Sequence, residues 1–446
     1  MDERKDFMFS RKDLQRLIIP LIVEQFLSIT IGMADTVMVS VCGEAAVSGV
    51  SLVDAINILM INIFSALATG GAIVSSQYIG REDLGKACEA AKQLVLAVFV
   101  LSTAIGAIFV FGGPQVLGLL YHDIEADVMA SAESYFFLTA LSYPFIALYN
   151  AGAALFRAMG NSKVSMTISI VMNCINIGGN ALFIFGFGWG IRGAAIATVL
   201  AQVLALTWQF RIFSNKNELL HFRRGIYRLK SKIVRNILAI GMSPFLMNLA
   251  ACFIVILINK GLKEYGGDLN IGAYGIVNRV GFFFVMIVMG INQGMQPIAG
   301  YNYGARQYER VNRVLKLTII GATCVTTLGF LIGELAPRLA VSVFTDDPEL
   351  IRLSAEGMRI VFFCFPIIGF QMVTTNFFQS IGMASKAIFL SLTRQMLFLL
   401  PALIILPRFF GAAGVWYSMP FSDLLASLVA LVMLVRQFRK FKRAEG

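Results

Sequence analysis

Long apolar runs separated by short polar gaps dominate the chain. A helix needs about 20 apolar residues to cross a bilayer, and twelve runs reach about that length. Long alternation of apolar and polar positions is missing from the sequence, which argues against a β-barrel. The pattern predicts an all-α polytopic membrane protein with transmembrane helices over residues 14–40, 48–79, 91–113, 130–154, 163–185, 192–212, 234–262, 272–300, 314–334, 353–378, 386–406 and 411–435.

The composition narrows the class of protein further. Hydrophobic residues make up 57% of the 446 positions and charged residues only 14%, against roughly 25% charged residues in an average soluble domain. This excludes a soluble enzyme, a nucleic-acid-binding domain and a disordered chain. The sequence contains no HExxH, GxSxG or CxxC motif, so we expect neither an enzyme nor a cofactor.

The distribution of basic residues predicts the orientation. If the N-terminus is cytoplasmic, 29 of the 37 Lys and Arg residues lie in or beside inner gaps and 6 lie outside. Because inner loops carry the excess of Lys and Arg, both termini are predicted to be cytoplasmic in a multi-pass protein of the cell membrane. The net charge of +11 therefore indicates contact with anionic lipid rather than nucleic acid.

The two halves of the chain repeat each other. With a shift of 224 residues, Pro20 meets Pro244, Gly70 meets Gly294 and Asp35 meets Asn259. Each half has six spans, so both halves begin on the same side of the membrane. This predicts two six-helix lobes related by a pseudo-two-fold axis along the membrane normal, with an N-lobe over 1–212, a cytoplasmic linker over 213–233 and a C-lobe over 234–446. A monomer working by alternating access fits this repeat better than a static pore.

Ionisable groups at membrane depth are costly and commonly functional. Asp35 lies in the outer half of the first span. Polar side chains on spans two, five and six are predicted at similar depth, and those on span five share one helix face. Their oxygens suit Na+, and a desolvated carboxylate suits a proton, although Asn and Thr also join helices simply by hydrogen bonding. The predicted coupling site is Asp35, Asp54, Asn57, Asn176, Asn180 and Thr198.

Other residues are candidates for the substrate cleft and for movement. Glu24 lies closer to the inner side, where it either attracts a cationic substrate or hydrogen-bonds locally. Flexible thioethers and rings adapt to varied ligands, although core or lipid-facing packing is the more common fate of such residues. Pro20 is expected to bend the first helix or to kink it permanently. The predicted cleft residues are Glu24, Met33, Phe64, Met286 and Met289.

Asp423, on the twelfth span, is expected to form a structural ion pair. Its predicted partner is Arg279 or Arg394. We expect no transport role for this carboxylate, because a nearby base already compensates its charge.

Three segments carry a family resemblance. Met33–Val39 (MADTVMV), Ser76–Gly80 (SQYIG) and Gln296–Ala305 (QPIAGYNYGA) resemble the ends of spans one, two and eight of the MATE family of multidrug and toxic compound extrusion transporters. The resemblance implies an antiporter that expels small amphipathic, often cationic, compounds in exchange for H+ or Na+.

The resemblance also implies an ion site in the N-lobe. The family's site maps onto Asp35, Asn176, Asn180 and Thr198, but some relatives carry Asp at the position of Asn180, which favours a proton here. A lipid-linked precursor flippase of the same superfamily is the alternative function. A flippase of that kind needs a basic cavity, and only Arg279, Arg359 and Arg394 are deep basic candidates.

Overall fold

The computed structural model describes residues 11–121, 125–221 and 228–445. These residues are helical almost throughout and form no β-strand. The helices are α1 (Arg11–Ser40), α2 (Glu44–Gly80), α3 (Leu84–Leu120), α4 (Ala126–Ala158), α5 (Ser162–Asn180), α6 (Gly190–Phe213), α7 (Ser231–Gly266), α8 (Asp268–Gly304), α9 (Tyr308–Leu335), α10 (Pro337–Ser342), α11 (Pro348–Phe362), α12 (Phe365–Ser380), α13 (Ala384–Leu392), α14 (Leu400–Phe410) and α15 (Ala412–Glu445).

The spanning helices confirm the predicted fold class. Within the described residues, eleven helices are long and apolar enough to cross a membrane, and α11 with α12 makes a twelfth if the bent pair forms one span. This pair bends by 53° where a single span was predicted over 353–378. Pro366, in the first turn of α12, explains the break, because proline lacks a backbone N–H and its ring clashes with the preceding turn.

Two π-helical segments interrupt otherwise regular spans. Ala181–Gly186 continues α5 beyond Asn180, and Thr393–Leu399 joins α13 to α14. Single π-helical turns occur frequently at functional sites. The first segment directly follows the predicted coupling residue Asn180, and the second contains Arg394.

The chain folds into two compact units. The N-terminal unit comprises Ile19–Gly241, and the C-terminal unit comprises Met242–Gly446 together with the start of the chain up to Ile18. The boundaries between the units fall inside α1 and α7. The predicted lobes and linker remain a prediction, and residues 222–227 of that linker, including Arg223 and Arg224, lie outside the described residues.

Small residues bring the helices of the N-terminal unit close together. A Cβ atom on Gly49 of α2 would lie 2.8 Å from the Ala132 nitrogen of α4, and one on Gly70 would collide with the Ile237 carbonyl of α7. Only glycine permits such approaches, since any side chain would push the backbones apart. The close packing of α2 and α4 positions the polar side chains described next.

The C-terminal unit has two hydrophobic clusters. One is centred on α8, α9 and α12 and includes Met295, Val314 and Phe377, and the other surrounds Phe362 and Trp416. Phe362 and Phe365 stack with ring centroids 4.4 Å apart. These contacts hold the bent α11 and α12 in place by burying the aromatic side chains around the break.

Candidate ion-coupling site

A cavity of about 270 Å3 inside the N-terminal unit collects most of the predicted coupling residues. Its walls come from α1, α2, α4, α5 and α6. Five of the six predicted coupling residues line it, namely Asp35, Asp54, Asn57, Asn180 and Thr198. The sixth residue, Asn176, reaches Asp35 and Thr198 directly.

Asp35 is held by two amides from α5. Asn180 Nδ2 donates to Asp35 Oδ1 at 2.6 Å. When the Asn176 amide is oriented to satisfy both its ends, its nitrogen lies 2.9 and 3.1 Å from the two Asp35 oxygens, and its oxygen accepts from Thr198 Oγ1 at 2.9 Å. Asn176 and Asn180 are one helical turn apart, so both reach the same carboxylate. The amide groups donate hydrogen bonds that stabilise an ionised Asp35.

The side-chain oxygen of Asn180 is in a different environment from its side-chain nitrogen. Asn180 is only 1% exposed, and its Oδ1 atom has no hydrogen-bond partner among the described residues. An unpaired buried acceptor costs about 1–3 kcal/mol. It is therefore a position where a proton donor, a water molecule or a cation would be stabilised.

Asp54 belongs to a second set of hydrogen-bonded side chains in the same cavity. It is hydrogen-bonded by Asn57, one turn along α2, and by Tyr135 of α4. The Tyr143 hydroxyl donates to Asn57 Oδ1 at 2.9 Å. Asp35 and Asp54 are close enough to interact electrostatically, so the two carboxylates disfavour each other's ionised form.

The cavity is acidic as a whole. Among the described residues that line it, two are carboxylates and none is Lys or Arg. A charge at membrane depth needs a partner, and amide hydrogen bonds do not supply a positive charge. The arrangement is therefore suited to binding a proton or another cation.

Sequence reasoning missed two contributors from α4 and one from α6. Tyr135 hydrogen-bonds Asp54, and Tyr143 hydrogen-bonds Asn57. Gln202 lines the cavity beside Thr198. Tyr135, Thr139 and Tyr143 recur every four residues, which places them on one helix face. That spacing was the available signal, although aromatic residues at this spacing are also common in apolar cores.

Glu24 lies at a separate place in the N-terminal unit. Ser165 Oγ donates to Glu24 Oε2 at 3.4 Å, and Arg157 interacts with Glu24 electrostatically. A base therefore lies near this acid within the N-terminal unit. The predicted fourth span ended at residue 154, whereas α4 continues to Ala158 and carries Arg157 inside the unit.

The other predicted residues are spread over both units. Met33 is 66% exposed, whereas Phe64 is fully buried and packs edge-on against Tyr143 with ring centroids 5.8 Å apart. In the C-terminal unit, Met286 is buried and Met289 is half-buried. Their roles in a substrate cleft remain predictions.

The remaining two predictions concern Pro20 and Asp423. Pro20 is buried inside an unbroken α1, and its bending remains a prediction. Asp423 is 1% exposed and accepts a hydrogen bond from Arg394 Nε at 2.5 Å. This confirms the predicted ion pair with Arg394.

Comparison with known proteins agrees with the fold. The MatE family model matches residues 20–182 and 240–404, once in each half of the chain. The chain is 21% identical over 424 residues to a multidrug export protein MepA of Staphylococcus saprophyticus, covering 95% of this chain and 93% of that protein. It is 22% identical to a MepA of Staphylococcus aureus over the same length and coverage.

A solved structure has the same fold. It is described as the outward-facing conformation of a multidrug resistance MATE family transporter of the MOP superfamily, and it matches with a TM-score of 0.90 at 19% identity, covering 98% of both chains. At this identity the likeness is evidence of the fold alone.

Proposed function

The chain belongs to the MatE family of membrane transporters, and from this premise we propose that it exports small amphipathic cations in exchange for a proton carried by Asp35. The names of the Staphylococcus relatives support export of several chemically different compounds. Alternating access would expose the coupling site to each side of the membrane in turn.

The observation that carries this proposal is the environment of Asp35. Its carboxylate is fixed by the amides of Asn176 and Asn180 in a cavity where no Lys or Arg lies among the described lining residues. A proton or a substrate cation would each neutralise the cavity, so binding of one would disfavour the other. Such competition is an unfavourable, that is positive, coupling free energy between two ligands, which is what an antiporter requires.

The amide nitrogens around Asp35 suit Na+ poorly, whereas a proton needs only one carboxylate oxygen, so we favour a proton as the coupling ion. Na+ is a hard cation that prefers several oxygen ligands, whereas Asn176 and Asn180 turn amide nitrogens toward the carboxylate. Protonation of Asp35 requires only that these amides lose part of their hydrogen bonding. The unpaired Asn180 oxygen is the feature that favours Na+, and the experiment below distinguishes the two ions.

We further propose where the protein is located, how it is oriented and that it works as a monomer. The distribution of Lys and Arg favours cytoplasmic termini in the cell membrane, with the inner basic residues against anionic lipid headgroups. The internal repeat supplies two lobes within one chain, which supports a monomer as the transporting unit. Met33, Met286 and Met289 remain the predicted contacts of an adaptable substrate cleft.

The test is transport by purified protein in liposomes. A proton gradient and an equivalent Na+ gradient, each with the higher concentration outside the liposomes, are imposed separately. Export of a fluorescent quaternary ammonium dye is followed in both cases. We expect the proton gradient to drive dye export and the Na+ gradient to have no effect. The matched variant Asp35→Asn, which keeps the size and most hydrogen bonds of the side chain, should reduce export to the level of protein-free liposomes.

Three outcomes would overturn parts of this proposal. Export driven by Na+ alone would make Na+ the coupling ion. Full export by Asp35→Asn would move the coupling site elsewhere. Absence of dye export combined with translocation of a lipid-linked pyrophosphate would favour the flippase, although no basic residue lines this cavity among those described.

A further inference from the structure

A second set of polar side chains lies inside the N-terminal unit, away from the Asp35 cavity. It consists of Glu24 on α1, Tyr149 and Arg157 on α4, and Ser165 and Ser169 on α5. Ser165 Oγ donates to Glu24 Oε2 at 3.4 Å, and both Arg157 and Tyr149 interact electrostatically with Glu24. We call these five residues the Glu24 group.

The Glu24 group contains a polar atom that needs a partner. Tyr149 is 5% exposed, lies close to Ser169, and has a hydroxyl without a well-formed hydrogen bond to any described residue. Buried polar groups are nearly always paired with protein or with ordered water. The Tyr149 hydroxyl, beside a carboxylate and a guanidinium, is therefore a position where water would be bound.

The Glu24 group and the coupling site lie on the same two helices, α1 and α5, with equal separations along each. Glu24 precedes Asp35 by eleven residues on α1, and Ser165 precedes Asn176 by eleven residues on α5. At 1.5 Å per residue, both separations are about 16 Å. The contacts of Glu24 with Ser165 and of Asp35 with Asn176 join α1 to α5 at two points separated by this length.

The face of α5 between the two sites is also polar. Ser165, Ser169, Asn173, Asn176 and Asn180 follow one another at spacings of three or four residues, which places them on one side of the helix. Asn173 Nδ2 donates to Ser169 Oγ at 3.4 Å. This polar face connects the cavity around Asp35 to Glu24 without an intervening apolar turn.

We propose that Glu24 is the inner relay through which the coupling proton leaves Asp35 for the cytoplasm. The proton departs from the Asp35 carboxyl group, which becomes a carboxylate, passes along water held by the polar face of α5, and is accepted by the Glu24 carboxylate. Glu24 then releases the same proton to cytoplasmic water. This inference rests on the proposed function, because it requires Asp35 to carry the coupling ion.

Arg157 determines what Glu24 accepts. Its guanidinium supplies the counter-charge that an ionised Glu24 needs inside the membrane, and it repels Na+ and cationic substrates. The titratable or charged groups that interact with Glu24 are Arg157 and Tyr149, both from α4, whereas Lys163 at the start of α5 is exposed. A carboxylate with a nearby guanidinium that disfavours other cations is suited to passing protons one at a time.

The experiment separates proton transfer from substrate movement. Purified protein in liposomes is measured in two ways: dye export driven by a proton gradient, and exchange of external labelled dye for internal unlabelled dye at equal pH. Exchange needs no net proton release. We expect Glu24→Gln to slow gradient-driven export at least tenfold while exchange and dye affinity stay within about twofold. Glu24→Asp should restore part of the export, because it restores an ionisable group.

A control variant and Asp35→Asn make the outcomes distinct. Glu44→Gln removes a carboxylate at the exposed start of α2 and should change neither rate. Equal loss of export and exchange in Glu24→Gln, or weaker dye binding, would assign Glu24 to the substrate site and overturn the relay. Unchanged export in Glu24→Gln with abolished export in Asp35→Asn would also overturn the relay, yet leave the proposed function standing. Full export in both variants would move the coupling site away from Asp35 and so remove the assignment on which the relay rests.

Discussion

Asp35 of the N-terminal unit and Asp423 of the C-terminal unit are both carboxylates in membrane-spanning helices, but of these two only Asp423 is paired with a base. Asp423 of the C-terminal unit binds Arg394, with 2.5 Å between its oxygen and Nε. Asp35 of the N-terminal unit is surrounded by amides and lies near a second acid, Asp54. Arg394 supplies Asp423 with a permanent counter-charge, whereas the proposed function requires for Asp35 a partner that can arrive and leave.

The repeat makes this difference informative. Asp35 and Asp54 correspond to Asn259 and Asn278 after a shift of 224 residues, and Asp423 corresponds to Gln202 at the shift of 221 that aligns Gly193 with Gly414. The two units therefore share helices, glycines and prolines but not charges. The proposed coupling in the N-terminal unit depends on the acidic positions at which the two halves differ.

The largest expected effect comes from breaking the pair in the C-terminal unit. Arg394→Gln leaves the buried Asp423 unpaired and should destabilise the protein by about 3–5 kcal/mol, with a smaller loss for Asp423→Asn, since Arg394 is 29% exposed. Thermal unfolding in detergent measures both changes. The double variant should recover much of the stability and retain dye export. A stable double variant without export would give this pair a direct role in transport.

Asn180→Asp tests the comparison from the opposite direction, by adding a carboxylate to the acidic cavity. The new side chain loses the amide that donates to Asp35 at 2.6 Å and supplies oxygen ligands for Na+. We expect Na+ to compete with protons in this variant and to drive dye export. Export rates in liposomes with and without Na+ measure the effect. An export rate that remains insensitive to Na+ would contradict the role assigned to the Asn180 amide.

Asp54→Asn should have an intermediate effect. It keeps hydrogen bonding to Asn57 and Tyr135 but removes the second negative charge near Asp35. Removing this charge leaves Asp35 to attract the dye cation alone, so dye affinity should fall by about tenfold. Dye binding measured at several pH values reports the change. Complete loss of coupling in Asp54→Asn would instead make Asp54 the main carrier.

Asn173→Ala should have the smallest effect. Asn173 is on the polar face of α5, but its hydrogen bond is to Ser169 of the same helix, at 3.4 Å. Hydrogen bonds inside membrane bundles contribute about 0.6 kcal/mol on average, so stability should fall slightly. Export should stay within about twofold, because Ser165, Ser169 and Asn176 still line the proposed proton path. A loss as large as that of Asp35→Asn would place Asn173 in the coupling site.

Most of the fold was predictable because hydrophobicity and glycine and proline positions determine it. Apolar runs marked the spans, and the residues predicted at the outer depth of spans one, two, five and six meet in one cavity. Depth along a helix follows from the residue number and the rise per residue. A carboxylate at mid-span is also rare enough to be noticed in a sequence.

Other features depended on contacts that no pattern records. Arg157 was assigned to a cytoplasmic gap, because a few polar residues end an apolar run before the helix itself ends. The bend at Pro366 could not be predicted from the presence of a proline alone, because the corresponding proline of the first half, Pro144, lies inside an unbroken α4. The pairing of Asp423 with Arg394 rather than Arg279 depends on how α15 packs against the π-helical segment, which sequence spacing does not encode.

Proton release on substrate binding tests the central claim most directly. Purified protein in weakly buffered detergent is mixed with a cationic dye, and a pH indicator reports the protons released. The account predicts about one proton per bound dye for the wild-type protein and for the Asp423→Asn/Arg394→Gln double variant, and none for Asp35→Asn, at a pH where Asp35 is protonated before binding. Equal proton release from the wild-type protein and Asp35→Asn would contradict it.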